Sequence, residues 1–193
     1  MKKILVVGSG LSGSVISRKL AETGNFSITV IEKRDEIGGN VFDYINPKGI
    51  KIHKYGPHLF HTNNKKVVDF IFKYSDWIDY KHKVKAILKN GKYVTLPVNN
   101  ETKNIVGEEN IIETFYRPYS EKMWGIKLEE LSPDIINRVP IRNDNNEYYF
   151  PDDKFQFIPK NGYSHFINNL LDHKNIIIKT KTTFEKKMEN NFD

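Results

Sequence analysis

Few backbone arrangements accommodate Gly8-Ser9-Gly10-Leu11-Ser12-Gly13 set directly behind the apolar run Ile4-Leu5-Val6-Val7. A short apolar run that stops at a glycine predicts a strand buried on both faces of a parallel sheet. The glycine spacing then has a physical reading. Gly8 permits a tight turn, Gly10 lets a pyrophosphate approach the backbone, and Gly13 allows a helix to pack close to the strand. Val15, Ile16 and Leu20 predict the buried stripe of that helix, which stops at Gly24. Ser27 to Ile31 predicts a second strand, and it ends at Glu32, a carboxylate suited to accepting hydrogen bonds from ribose hydroxyls. The expectation is a βαβ unit whose helix N-terminus faces a negatively charged dinucleotide.

The choice of dinucleotide rests on the residues just past Glu32 and Lys33. Arg34-Asp35-Glu36-Ile37-Gly38-Gly39-Asn40 offers a second glycine pair, which lets the backbone pass close to an extended cofactor again. A plain nicotinamide site has little need of it, so FAD is expected; the plainer reading of Gly38-Gly39 is a loop. Farther on, the pattern predicts a helix near 64–74, and strands at 84–88 and 93–96 joined by a tight turn at Asn90-Gly91. Asn110 and Glu113 resemble a capping box that opens a helix through Lys122. A short strand is expected at 148–150, a helix at 162–171 and a strand at 176–180. The fold class expected is α/β: a Rossmann-like, FAD-binding βαβ fold with a small inserted α/β region. The domains are expected at 1–75 (FAD-binding), 76–150 (insertion with hairpin and helix) and 151–193 (return to the FAD sheet).

Composition removes several function classes. Among 193 residues there is no cysteine, which excludes disulfides, thiol catalysis and thiolate metal sites, and fits a cytoplasmic location. No apolar run approaches the ~18 residues that span a bilayer, so no membrane partner is expected. The net charge of +6 comes from scattered lysines without a basic run, which points to an anionic small molecule over nucleic acid.

Two dense stretches carry candidate chemistry. His53-Lys54-Tyr55-Gly56-Pro57-His58-Leu59-Phe60-His61-Thr62 holds three histidines. They read as groups lining a flavin, as structural or surface histidines, or as metal ligands; Gly56-Pro57 breaks the helical spacing that metal-binding pairs use, and no metal is expected. In Tyr116 to Gly125, Tyr119 and Trp124 offer flat faces to a base or sugar, or belong to a core. Arg138 and Arg142 are four apart and able to grip phosphate oxygens, or are solvated surface cations.

Taken together, Gly8 to Gly13, Ile31-Glu32-Lys33-Arg34, Ile37-Gly38-Gly39-Asn40, the histidine block, Leu96-Pro97-Val98-Asn99, Tyr119-Ser120-Glu121-Lys122-Met123-Trp124-Gly125 and Arg138-Val139-Pro140-Ile141-Arg142 resemble the bacterial UDP-galactopyranose mutases in motif and order. The resemblance implies an FAD-dependent isomerase that interconverts UDP-galactopyranose and UDP-galactofuranose through a flavin N5–sugar adduct, with the flavin reduced. By the same resemblance, Gly8, Ser9, Gly10, Ser12, Gly13, Glu32, Lys33, Arg34, Gly38, Gly39, Asn40 and His58 bind FAD. His58, His61 and Arg138 serve catalysis, and Asn99, Phe115, Tyr119, Trp124, Arg138 and Tyr149 meet the UDP-sugar. The stretch between Asn99 and Tyr119 is much shorter than in the family, which leaves the sugar and any homo-oligomer open. Family members are also about twice as long, so the resemblance implies that 76–150 is a reduced substrate-binding insertion, that 151–193 is truncated and the fold incomplete at the C-terminus, and that the chain is an N-terminal portion with its C-terminal half missing. The alternatives are a related mutase acting on another nucleotide sugar such as a dTDP-deoxysugar, a flavin amine oxidase-like oxidoreductase, and a non-catalytic remnant.

Overall fold

The computed structural model describes residues 1–136 and 140–193. In chain order its strands and helices are β1 (Lys2–Val7), α1 (Leu11–Glu22), β2 (Phe26–Ile31), β3 (Asp43–Ile45), β4 (Lys51–His53), β5 (Phe60–Thr62), α2 (Lys65–Ile71), β6 (Trp77–Asp79), β7 (Val84–Ile87), β8 (Tyr93–Leu96), α3 (Asn100–Val106), α4 (Arg117–Trp124), α5 (Pro133–Ile136), β9 (Phe155–Pro159), α6 (Tyr163–Leu171) and β10 (Ile176–Lys179). They fall into two compact units, Met1–Tyr80 with Lys154–Asp193, and Lys81–Asp153.

In the first unit β1 and β2 run parallel, from Lys2 opposite Phe26 to Val7 opposite Ile31, and β10 joins the other side of β2. β2 is therefore the central strand, and its Ile28 and Val30 are fully buried. The sequence reads β1 as buried on both faces, yet Val7 at its end is 59% exposed; among the described residues β1 pairs with β2 on one side only. A second difference concerns α1: Ile16, expected inside, is exposed, and the buried positions are Ser14, Ser17 and Ala21. Small side chains let this helix lie close to the sheet, and Gly13 begins the approach, since a Cβ there would stand 2.0 Å from Gly8 O.

Helix α6 covers the sheet with Tyr163, Phe166, Ile167, Leu170 and Leu171, all buried and spaced i, i+3, i+4, i+7, i+8 along one face. Each such side chain contributes about 1.5–3 kcal/mol on burial. Its N-terminus is capped from a distance. Gly162, at φ +89°, has no side chain to offer, and Asp43 on β3 accepts from Tyr163 N–H at 2.6 Å and Ser164 N–H at 3.0 Å. A Cβ on Gly162 would sit 2.4 Å from Asp43 Oδ2, so this glycine makes room for the cap. A second, antiparallel sheet of order β5-β9-β6 brings together the rings of Phe60, Trp77 and Phe157.

In the second unit β7 and β8 form the expected hairpin, with Val84 opposite Leu96 and Ile87 opposite Tyr93. Its turn is wider than Asn90-Gly91 suggests. Leu88 N–H bonds Lys92 O and Gly91 N–H bonds Leu88 O, giving a three-residue loop in which Gly91 alone takes positive φ, +81°. Asn90 turns its side chain to Lys92 N–H instead. The capping box at Asn110 does not form. Asn110 Nδ2 donates to Val106 O, and Glu113 pairs with Arg117 Nε at 2.8 Å, a partner one turn on that holds the carboxylate away from the helix start. The chain instead enters through a tight turn at Glu108–Asn110, widens to a π-helical turn at Ile112–Tyr116, and continues as α4. Tyr148 makes a single bridge with Lys83 in place of the strand expected at 148–150.

Candidate functional site

The first unit presents the glycine loop as the spacing requires. Gly10 caps α1 without a side-chain bond, and the first intrahelical bond runs from Ser14 N–H to Gly10 O. The N–H groups of the first turn have no acceptor within the helix and point toward the loop. The second glycine pair lies against the first: Gly38 N–H donates to Ser9 O at 3.0 Å, and a Cβ on Gly39 would stand 3.0 Å from Gly10 Cα. Gly10 and Gly39 are thus two bare backbone faces in contact, a cradle that any side chain would fill.

Glu32 is buried at the end of β2. Its carboxylate accepts from Ser9 N–H, Ser9 Oγ and Arg34 N–H, at 2.9–3.0 Å. Burial pushes this carboxyl up, but the three donors outweigh it and hold it below the usual carboxylate range, so it is ionised at neutral pH. Arg34 stacks its guanidinium over Tyr55 at 4.5 Å and donates from Nη2 to Asn40. Its Nη1 is buried without a hydrogen-bond partner in the structure, an unsatisfied donor beside the glycine loop. Past β10, Lys181 N–H and Thr182 N–H bond Arg34 O and Glu32 O, fixing this loop from behind. Sequence reasoning gave no role to Tyr55, Lys181 or Thr182. The first lay inside a quoted motif; Lys181 and Thr182 act through backbone N–H groups, which any residue carries.

The remaining first-unit candidates are less connected. Ser12 and Lys33 are exposed. His58 N–H donates to His53 Nδ1 at 3.0 Å, and His58 Nδ1 lies 2.8 Å from Gly56 O. Burial lowers the pKa of His53, consistent with a neutral ring that accepts this bond. His61 sits on β5 opposite Gln156. The histidine block joins the cofactor loop through Arg34 on Tyr55, Lys54 N–H to Phe42 O, and Lys54 Nζ to Glu36. Among the described residues no cluster of His, Asp and Glu is arranged to hold a metal, and no helix is long and apolar enough to cross a membrane.

The second unit contains a cleft of about 960 Å³. Phe115, Tyr119 and Trp124, from the helical stretch 112–124, and Tyr149, from a separate loop, all line it; Tyr119 and Trp124 are half exposed. Arg117 stiffens the helix that carries two of them through Glu113, Glu121 and Glu129. Tyr116 also lines the cleft, and burial pushes its phenol up to about 12, with the nearby Tyr149 adding to the shift. Asn99 is fully buried: it accepts Thr102 N–H as the cap of α3 and donates to Asn146 O. Arg142 has a similar employment, giving Nη1 to Tyr148 O and Nη2 to Asn146 O from a buried position, so it is neither a surface cation nor a phosphate grip. Arg138 lies outside the described residues.

Comparison with known proteins gives both units relatives. Residues 114–193 match the family model described as UDP-galactopyranose mutase, and residues 6–74 match the NAD(P)-binding Rossmann-like domain. A probable UDP-galactopyranose mutase of Klebsiella pneumoniae is 34% identical over 95% of this chain and 56% of its own length. A dTDP-fucopyranose mutase of Escherichia coli is 36% identical over 91% of this chain and 55% of its own. In structure, a reduced UDP-galactopyranose mutase matches with a TM-score of 0.64 at 17% identity, covering 93% of this chain and 49% of that one, a likeness of fold. The chain spans about half the length of the curated relatives it matches.

Proposed function

We propose that the chain is a UDP-galactopyranose mutase family member over the portion it spans, as its match to that family model over residues 114–193 and its 34% identity to a probable mutase support, and that it binds FAD in its first unit and a nucleoside-diphosphate sugar in its second. The reaction served is the interconversion of UDP-galactopyranose and UDP-galactofuranose. The observation that carries this reading is the convergence of Phe115, Tyr119, Trp124 and Tyr149 on one cleft, an aromatic lining suited to a base and a sugar.

The first unit fits the cofactor. The N–H groups at the start of α1 and the Gly10–Gly39 cradle would hold its diphosphate, Glu32 would accept from ribose hydroxyls, and Arg34 Nη1 is a preset donor. FAD held there in reduced form would supply a nucleophile for the anomeric carbon, chemistry that involves no net redox change. His58 and His61 would orient the reacting groups. In the second unit Tyr119 would stack on the base, Trp124 would border the sugar and Tyr149 would close the cleft. Arg138 would hold the substrate diphosphate.

The test is calorimetric titration of the purified chain with UDP and, separately, FAD. UDP is expected to bind, and Tyr119→Ala to weaken it about tenfold or more, the loss of one base-stacking contact. No UDP binding by the unaltered chain, or full affinity in Tyr119→Ala, would sink the reading. The dTDP-fucopyranose mutase relative supports a second substrate class, a dTDP-deoxysugar, and tighter binding of dTDP than of UDP would select it.

A further inference from the structure

The segment from Arg142 to Tyr148 is tied to the end of the β8 strand by an unusual density of bonds. Arg142 N–H donates to Val98 O at 2.8 Å, Asn100 N–H to Asp144 O at 2.8 Å, and Asn99 Nδ2 to Asn146 O at 3.3 Å. Asp144 Oδ1 and Asn146 Oδ1 then accept the N–H groups of Asn146 and Tyr148, turning the loop on itself. At its centre lies the Arg142 guanidinium, 8% exposed, with Nη1 on Tyr148 O at 2.8 Å, Nη2 on Asn146 O at 2.5 Å and Nε 3.7 Å from Asp144 Oδ1. Two of its nitrogens thus donate to carbonyls of the loop, Nε is buried without a hydrogen-bond partner, and the side chain is not part of the cleft lining.

The next residue is Tyr149. Its N–H donates to His82 O at 2.7 Å, its ring lies 5.8 Å from that of His82, and it lines the cleft with Tyr116 and Trp124. A planar, five-donor cation spends itself here on two carbonyls immediately before the one loop residue that enters the cleft. A loop held only by solvent-exposed turns would leave that ring free to swing.

We infer that Arg142 is a positioning residue: by locking the Asp144–Tyr148 loop, with Asn99 as its second anchor, it sets the Tyr149 ring in the cleft, and it acts on ligand affinity through Tyr149. This deepens the function proposed above and rests on the cleft taking a nucleoside diphosphate. It also gives a reason for a buried arginine where a smaller apolar residue would satisfy a core: the carbonyls of residues 146 and 148 face inward and need donors.

Calorimetric titration of UDP into the whole chain tests it. Arg142→Met is expected to weaken UDP about tenfold, Arg142→Lys to recover part of the loss, and Tyr149→Ala to weaken it to a similar degree. In the Tyr149→Ala background, Arg142→Met should cost nothing further. Asn146→Ala removes the acceptor for Tyr148 N–H with Arg142 intact and serves if Arg142→Met fails to fold; about threefold weaker binding is expected. Unchanged affinity in these single variants, or additive losses in the double variant, overturns the assignment. Absence of UDP binding by the unaltered chain instead overturns the function on which it rests. Positioning is then read from exchange of the Tyr149 amide hydrogen, which Asn146→Ala should speed at least tenfold and which an unchanged rate would refute.

Discussion

Glu32 carries a negative charge in a buried place, and its cost is offset by donors on both sides: Ser9 from the glycine loop and Arg34 from its own strand end. A carboxyl whose pKa is lower in the folded chain adds stability above its unfolded value, near 4.5, and loses it as pH falls through the lower folded value. Glu32→Gln is therefore expected to unfold about 1–3 kcal/mol more easily at pH 7. Urea unfolding should show the gap to the unaltered chain closing below about pH 4; a gap that persists there would refute the electrostatic account. The glycines separate two reasons for having no side chain. Gly13→Ala places a Cβ 2.0 Å from Gly8 O, whereas Gly24→Ala meets open space at φ +74°. Both should lower the melting temperature, through crowding in the first (about 1–3 kcal/mol) and left-handed backbone in the second (about 1–2 kcal/mol). Gly13→Ala alone should also weaken ADP binding, because it moves the loop proposed to hold the diphosphate.

At the level of elements, α6 depends on a residue far from it in sequence. Asp43 fulfils for Tyr163 and Ser164 what an N-cap side chain would, and Gly162 is the vacancy that lets it in. Asp43→Ala is expected to cost about 1–2 kcal/mol, and hydrogen exchange should report the loss first at the Tyr163 and Ser164 amides. Uniformly faster exchange along α6 would point to general loosening instead. The helix itself was legible: its apolar spacing and Gly162 predict 162–171, and α6 runs Tyr163–Leu171. Its cap was not, because a cap supplied across 120 residues leaves no local signature. The same holds for the capping box read at Asn110 and Glu113. Two residue types at the right spacing suggested it, and Arg117 one turn away took the glutamate.

For the whole molecule, the first unit is discontinuous, so its two segments stand or fall together. β9 is the middle strand of β5-β9-β6, β10 flanks β2, and α6 supplies Phe166, Ile167, Leu170 and Leu171, which with Ile28 and Val30 are the largest fully buried side chains of this unit. A chain ended at Asp153 should lose the cooperative unfolding of the first unit, seen as a broad, shallow thermal transition by circular dichroism; a sharp transition would show that Met1–Tyr80 folds without them. The residues along the chain already declared the βαβ unit, its glycine cradle and the acid at the end of β2, because each depends on neighbours within a few positions: a run of apolar residues, a spacing of glycines, a strand end. They also carried the resemblance to the UDP-galactopyranose mutases, through motifs whose order survives in the primary structure. Folding decided what depends on distant partners. It placed α1 on the sheet by its serines and left Ile16 outside, it widened the hairpin at Asn90-Gly91, and it turned Asn99 and Arg142 inward to hold a loop. Those outcomes arise from which buried carbonyls and helix ends needed donors, and that need exists only once the chain has closed on itself. The βαβ unit can thus be read from the chain alone, whereas the lining of the cleft took shape where stretches distant in sequence met.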